Sequence, residues 1–316
     1  MVTEATRDDL LATVAELYYR DGLTQAMVSE RLGTNRSTIS RMLTEAQERG
    51  IVEISIHRPL HLDDELARRL EAAFGLAECW VVRPSDESPD AHRTALGRVG
   101  AVAVGSHLRS GMVIGATWGS TMQAVVASLG PRPLSDVRVC QVAGSLLPHD
   151  DPTDTTGITA RLAELVEGEE LRLAAPLVVG GAEVAAALKD HPLNRSTLET
   201  AARCDLMLVG IGVVDRQRST LHRDGHITTE DLSILAEAGA VGDACGFPFD
   251  AAGRPVAESW VERLVTIDRS AMLAIPTRLA VAGGADKAEA VRGALAGGYV
   301  SHLATDVELA ETLLAA

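Results

Sequence analysis

The run Arg36-Ser37-Thr38-Ile39-Ser40-Arg41 puts guanidinium forks and hydroxyls on one half of a helix while Ile39, Met42 and Leu43 turn inward. A helix that reads a DNA major groove needs this division, because its first turns must carry forks and hydroxyls to base edges and phosphates. Thr24 and Gln25 open a shorter helix just before it, and Asn35 is a fitting N-cap for the second. We therefore expect the DNA contact at Thr24, Gln25, Asn35, Arg36, Ser37, Thr38, Ser40 and Arg41. The plain alternative is a small helical bundle with an exposed polar face; spacing, cap and polar stripe together argue against it.

Three further groups stand where apolar runs meet small polar turns. Val113 to Thr121 is a strand running into a Gly/Thr/Ser turn that opens a helix. There the free amides and positive helix end of Gly115, Thr117, Trp118, Gly119, Ser120 and Thr121 favour an anion or a polyol oxygen. Ala282-Gly283-Gly284-Ala285-Asp286-Lys287 repeats the strand-to-helix pattern, and Lys287 is one of only two lysines in the chain. A cation in a helix's first turn is mildly unfavourable, which tilts Lys287 towards a ligand role. Asp243, just before an expected hairpin over Phe249 to Arg254, could accept sugar hydroxyls or bond the turn's own amides. His222 and His226, four residues apart in LHRDGH, read as a polar loop.

These residues need elements to hold them. A helix over Asp8 to Tyr19, with Leu10, Leu11, Val14, Leu17 and Tyr18 on its apolar stripe, precedes the helix pair; Ala26, Met27, Val28 and Leu32 supply the inner side of the second helix. IVEISI after Gly50 reads as a short strand. From Leu62 to Phe74 an amphipathic helix ends at Gly75, placed to link two domains or pack on a partner chain. Beyond it, CWVVR, MVIGA, VRVCQV, LVV, LMLVGIG, LVTID, RLAVAG and VSHLAT alternate with Ala/Leu-rich helices. Such alternation means βαβ units and a mostly parallel sheet. The expected fold is α/β, with a helix-turn-helix domain over residues 1–58 and a second domain with a mostly parallel sheet over 59–316.

Composition bounds the function. Of 316 residues, 46% are hydrophobic and 3% aromatic, which describes a globular chain with an aliphatic core. The net charge of -15 would repel nucleic acid if evenly spread, but the first 60 residues hold seven arginines against nine acidic residues, so the excess lies elsewhere. Cys79, Cys140, Cys204 and Cys245 are far apart with no CxxC pair, so neither a zinc cluster nor a disulfide framework is suggested, and no metal or cofactor is expected. MVTEATRDDLL lacks a basic region followed by an apolar run, and no stretch approaches membrane-span length; a cytoplasmic protein without a membrane partner is expected.

The chain resembles the SorC-type, sugar-responsive bacterial transcription regulators, sometimes grouped with deoxyribonucleoside regulators. The segment LYYRDGLTQAMVSERLGTNRSTISRMLTEAQERGIVEI carries the resemblance at the N-terminus. GATWGST, CDLMLVGIG, GAVGDACGFPFDAAGRPV and VAGGADKAEAVRGALAGGYVSHLATD carry it, in that order, through the rest. It implies that residues 59–316 form a Rossmann-like effector domain akin to sugar-phosphate isomerases, and further implies homo-oligomers (dimer or tetramer), operator DNA as partner, and release or rearrangement when a small sugar, polyol or sugar phosphate binds. The implied pocket uses Thr117 to Thr121, the loop after VRVCQV with Gly144 and Ser145, Asp243 and Lys287. Where the family commonly has a polar or basic residue before two glycines, this chain has Ala143, which points to an unphosphorylated effector. The rival reading is a sugar-phosphate isomerase or deaminase on the same fold; the helix-turn-helix speaks against it.

Overall fold

The structure, a computed structural model, describes residues 4–52, 59–86, 88–146, 153–223 and 225–315. It divides into two compact units, Met1–Pro59 and Leu60–Ala316.

The first unit is helical. α1 (Glu4–Ala15) runs into a π-helical turn over Glu16–Arg20; α2 (Gln25–Arg31) and α3 (Arg36–Glu48) follow. Both caps form as the sequence suggests: Thr24 accepts from the Met27 amide at 3.3 Å and Asn35 from the Thr38 amide at 2.8 Å. Leu11, Val14, Leu17, Val28, Ile39, Met42, Leu43 and Ala46 make one core. Leu10 and Met27, expected inside, are 39% and 51% exposed. The buried stripe of α1 follows the phase of Leu11, Val14 and Leu17, and two-turn α2 turns only Val28 fully inward. Ile51 and Val52 are partly buried against this core; the rest of the expected IVEISI strand lies outside the described residues.

The second unit is a mixed α/β domain. Its strands are β1 (His61–Leu62), β2 (Glu78–Arg83), β3 (Val113–Ala116), β4 (Arg138–Gln141), β5 (Glu169–Leu171), β6 (Leu206–Val209), β7 (Ile211–Val213), β8 (Gly242–Ala244), β9 (Phe247–Phe249), β10 (Thr277–Val281) and β11 (His302–Asp306). Eight form one sheet in the order β1-β2-β11-β10-β6-β3-β4-β5, parallel except for β1. β7, β8 and β9 form a small antiparallel sheet. After β3 the chain moves outward to β4 and β5, then returns to the other side of β3 as β6. This reversal opens a crevice at the carboxyl ends of β3 and β6, where parallel α/β sheets bind ligands.

Several expected elements take a different form. The apolar helix α4 (Asp64–Phe74), capped by Asp63 and closed by Gly75 in the left-handed region, does not wait for a partner: Leu66, Ala67 and Leu70 are buried in this unit's own core. Gly210 divides LMLVGIG between two sheets. LVV and LVTID stay out of the main sheet and bridge each other instead, Val178 opposite Leu264. β5, whose EEL is a polar edge strand, had no periodicity to announce it. The helix expected from Asp286 begins at Ala288, after a 3-10 turn over Ala285–Lys287. Two further helices are α5 (Pro89–His107), which packs on the main sheet, and α6 (Ser120–Ser128), which opens after β3.

Candidate functional site

Thr117 follows directly on β3; it is buried and its hydroxyl does scaffold work: it donates to Leu208 O at 3.1 Å and accepts from the Gly210 amide at 2.9 Å. These bonds tie the ends of β3 and β6 together and fix the turn that follows. Gly119 caps α6 with φ 118° and ψ 156°, a conformation open to glycine and not to side-chain-bearing residues. The first helical bond of α6 runs from the Gln123 amide to Gly119 O at 2.9 Å. The amides of Ser120, Thr121 and Met122 therefore have no helical acceptor, and the positive helix end opens into a cleft of about 180 Å³.

Lys287 enters from the end of β10. Its Nζ donates to Ile211 O at 3.4 Å, and burial lowers its pKa against the opposing pull of Asp286 and Asp243. Among the described residues it has no ion-pair partner within 4 Å. Asp243 comes from β8, paired with Gly212 of β7, and its Oδ2 accepts from the Gly246 amide at 3.1 Å. A Cβ on residue 212 would lie 2.0 Å from Asp243 Oδ1, so only glycine lets the carboxylate lie there.

Burial pushes the Asp243 carboxyl up to about 6, with the Gly246 amide and Lys287 acting in the opposite direction. The folded chain thus holds this proton more tightly than an unfolded aspartate, and the stability it contributes is lost as pH rises towards and through 6. Between pH 5 and 7.5 the wild type should lose about 1 kcal/mol relative to Asp243→Asn, read from denaturant melts of the ligand-free protein. A difference that stays flat over that window would show that the carboxyl titrates normally.

The cleft gathers Thr117, Trp118, Gly119, Ser120 and Thr121 with Asp243 and Lys287. It leaves out three expected residues. Gly115 sits mid-strand, where a Cβ would meet Val142 at 2.5 Å, and a Cβ on Gly144 would meet the Pro176 backbone at the same distance. The Ser145 hydroxyl is turned to Thr156 Oγ1 at 2.9 Å. Ala143 is fully buried opposite Thr266 and is also absent from the lining. In exchange the segment around Thr220 to His226 forms one wall, contributing Thr220, Leu221, Arg223 and His226. His222 and His226, four residues apart, were the available signal for that wall, and His226 lines it.

On the first unit, Asn35 Oδ1 accepts from the Thr38 amide, the Thr38 hydroxyl (2.9 Å) and the Ser37 hydroxyl (2.7 Å). Arg36, Ser37, Ser40 and Arg41 are exposed, while Thr38 and Gln25 are half-buried and Thr24 is exposed at its cap. Arg7 and Arg49 are held by Glu45 and Asp8, whereas among the described residues Arg36 and Arg41 have no ion-pair partner. Their charge is left for an outside anion.

Residues 58–315 match the family described as "Putative sugar-binding domain". The transcriptional regulator LsrR of Klebsiella pneumoniae is 34% identical over 313 residues, covering 98% of this chain and 93% of that protein. The deoxyribonucleoside regulator of Bacillus subtilis is 28% identical, covering 98% of each. The crystal structure of the full-length sorbitol operon regulator SorC from Klebsiella pneumoniae superposes with a TM-score of 0.74 at 27% identity, over 97% of this chain and 99% of that one. Among the described residues no helix is long and apolar enough to cross a membrane. These relatives are regulators and not enzymes, which removes the isomerase reading, and with matches spanning nearly its whole length this chain belongs to the SorC/LsrR-type family of DNA-binding transcriptional regulators with a sugar-binding domain.

Proposed function

We propose that α3 reads operator DNA and that a monosaccharide phosphate seated in the cleft changes that binding. The observation that carries the ligand class is the convergence on one cleft of Lys287 and the amides of residues 120–122, which have no acceptor among the described residues. A helix N-terminus and a buried ammonium together replace the hydration of an anionic group. Arg223 adds a second cation to the wall, and Asp243 supplies an acceptor for sugar hydroxyls. The lean towards an unphosphorylated effector rested on Ala143. That residue is buried and outside the cleft lining, so the charge that meets a phosphate comes from Lys287 and the helix end. A volume of about 180 Å³ suits one small sugar and is well below the ~300–1,000 Å³ of drug-sized sites.

Dimers or tetramers follow from the reading of DNA, since one helix-turn-helix contacts too few bases and paired half-sites need paired domains. Operator binding also places the protein in the cytoplasm. The ligand class is tested by calorimetric titration with pentoses and hexoses and their matched monophosphates. We expect the phosphate to bind at least about 10-fold tighter than its parent sugar, the value of one charge-assisted contact. Equal affinity within a pair, or preference for the free sugar, would overturn the phosphate assignment.

A further inference from the structure

β2 and β11 run parallel with Glu78 opposite His302, so both first residues project to the same face of the sheet. α5 covers that face: Val82 and Ala304, further along the same strands, share a core with Leu96, Val99, Ala103 and Val104 of the helix. Because α5 runs back along β2, the strand that precedes it, and β11 lies parallel beside β2, its last residue, His107, arrives over the first residues of both. Ligand-capable atoms of Glu78, His107 and His302 lie within 4.8 Å of one another.

The surrounding bonds prepare the two imidazoles. His107 Nδ1 is 3.0 Å from the Ala103 carbonyl, which can only accept, so Nδ1 carries the proton and Nε2 keeps its lone pair. His302 Nδ1 is engaged by the Ser301 hydroxyl at 2.8 Å, again leaving Nε2. The rings stand edge to face at 5.0 Å, and Trp80 braces His107 from the other side at 6.0 Å. Glu78 is exposed and has no ion pair or hydrogen bond through its carboxylate among the described residues. An outer partner on the second ring nitrogen is the usual device that orients a metal-ligating histidine.

We propose that Glu78, His107 and His302 form a site for a divalent transition-metal ion of the zinc class. Two imidazoles and one carboxylate are borderline donors, which favour zinc, cobalt or nickel over magnesium or calcium, and leave a fourth position for water. The site stands at the amino ends of the strands, whereas the sugar cleft stands at their carboxyl ends, so it is independent of the reading above. A bound ion would pin the last turn of α5 to β2 and β11. The cysteines do not enter, and residues 78, 107 and 302 are too scattered in sequence for a spacing motif.

The test is titration of chelator-treated full-length protein with Zn²⁺, and with Co²⁺ followed by visible absorption. Wild type should bind one ion per chain with a Co²⁺ spectrum lacking the thiolate charge-transfer band. Glu78→Ala and His107→Ala should each weaken Zn²⁺ binding by at least about 10-fold, while His92→Ala, at the far end of α5, should leave it within about threefold. Glu78 is exposed, so its variant remains informative even if His107→Ala fails to fold. No binding by wild type, a thiolate band, binding unmoved by Glu78→Ala, or an equal loss in His92→Ala would each overturn the assignment.

Discussion

Replacing Arg36 and Arg41 together by alanine should lower operator affinity by about 100-fold or more at fixed salt, because an arginine that reads a base edge is worth about 1–3 kcal/mol. The fold should be untouched. Both side chains are exposed and, among the described residues, neither has an ion-pair partner to lose, so stability should change by less than about 0.5 kcal/mol. The two losses differ in kind: an arginine on a base relaxes specificity at one position, whereas an arginine on a phosphate weakens all sequences alike and reduces the salt slope by about 1. Gel-shift titrations of the two single variants over a range of salt separate these roles. If the double variant binds as tightly as wild type, α3 is not the reading helix.

Lys287→Met removes the charge while keeping a long apolar stem, and should cost about 10- to 100-fold in affinity for a sugar phosphate, as expected of one charge-assisted bond. The matching loss for the unphosphorylated sugar should be small, since Asp243 and the backbone, not the ammonium, would hold its hydroxyls. Folding should tolerate the change. The ammonium makes one long bond, to Ile211 O, and burial already lowers its pKa, so the folded structure gains little from the charge. Calorimetry with the matched pair decides the matter: an equal loss for sugar and phosphate would make Lys287 a general wall residue, and no loss would take it out of the site.

What could be read from the sequence was local chemistry. Thr24 and Asn35 declare their caps because a short polar side chain before a helix has one good use, and Gly75 declares its helix end because few other residues enter the left-handed region. The Thr117 to Thr121 turn and Lys287 were legible at strand-to-helix junctions and Asp243 as a residue before a hairpin, and the cleft at the ends of β3 and β6 gathers them. What escaped depends on distant pairing. Ala143 looked like a pocket position by its place after β4, but its backbone is claimed by Thr266, more than a hundred residues on. Arg223 and His226 reach the cleft only because the chain breaks at Gly210 and builds a second sheet beside it. The Leu62 to Phe74 stripe was correctly amphipathic, yet periodicity says only that a face is buried, not against what.

The central claim is that sugar binding and DNA binding are coupled in one chain, and the most direct measurement is operator affinity with and without ligand. The DNA is a duplex selected by the protein itself from a random-sequence pool, and the ligand is the sugar phosphate that binds best in calorimetry. We predict that saturating ligand changes the dissociation constant for that duplex by about 5- to 150-fold, and that the duplex changes ligand affinity by the same factor, as linkage requires. The Lys287→Met variant should need a correspondingly higher ligand concentration to produce the change. An operator affinity that stays constant while the cleft is demonstrably filled would contradict the account.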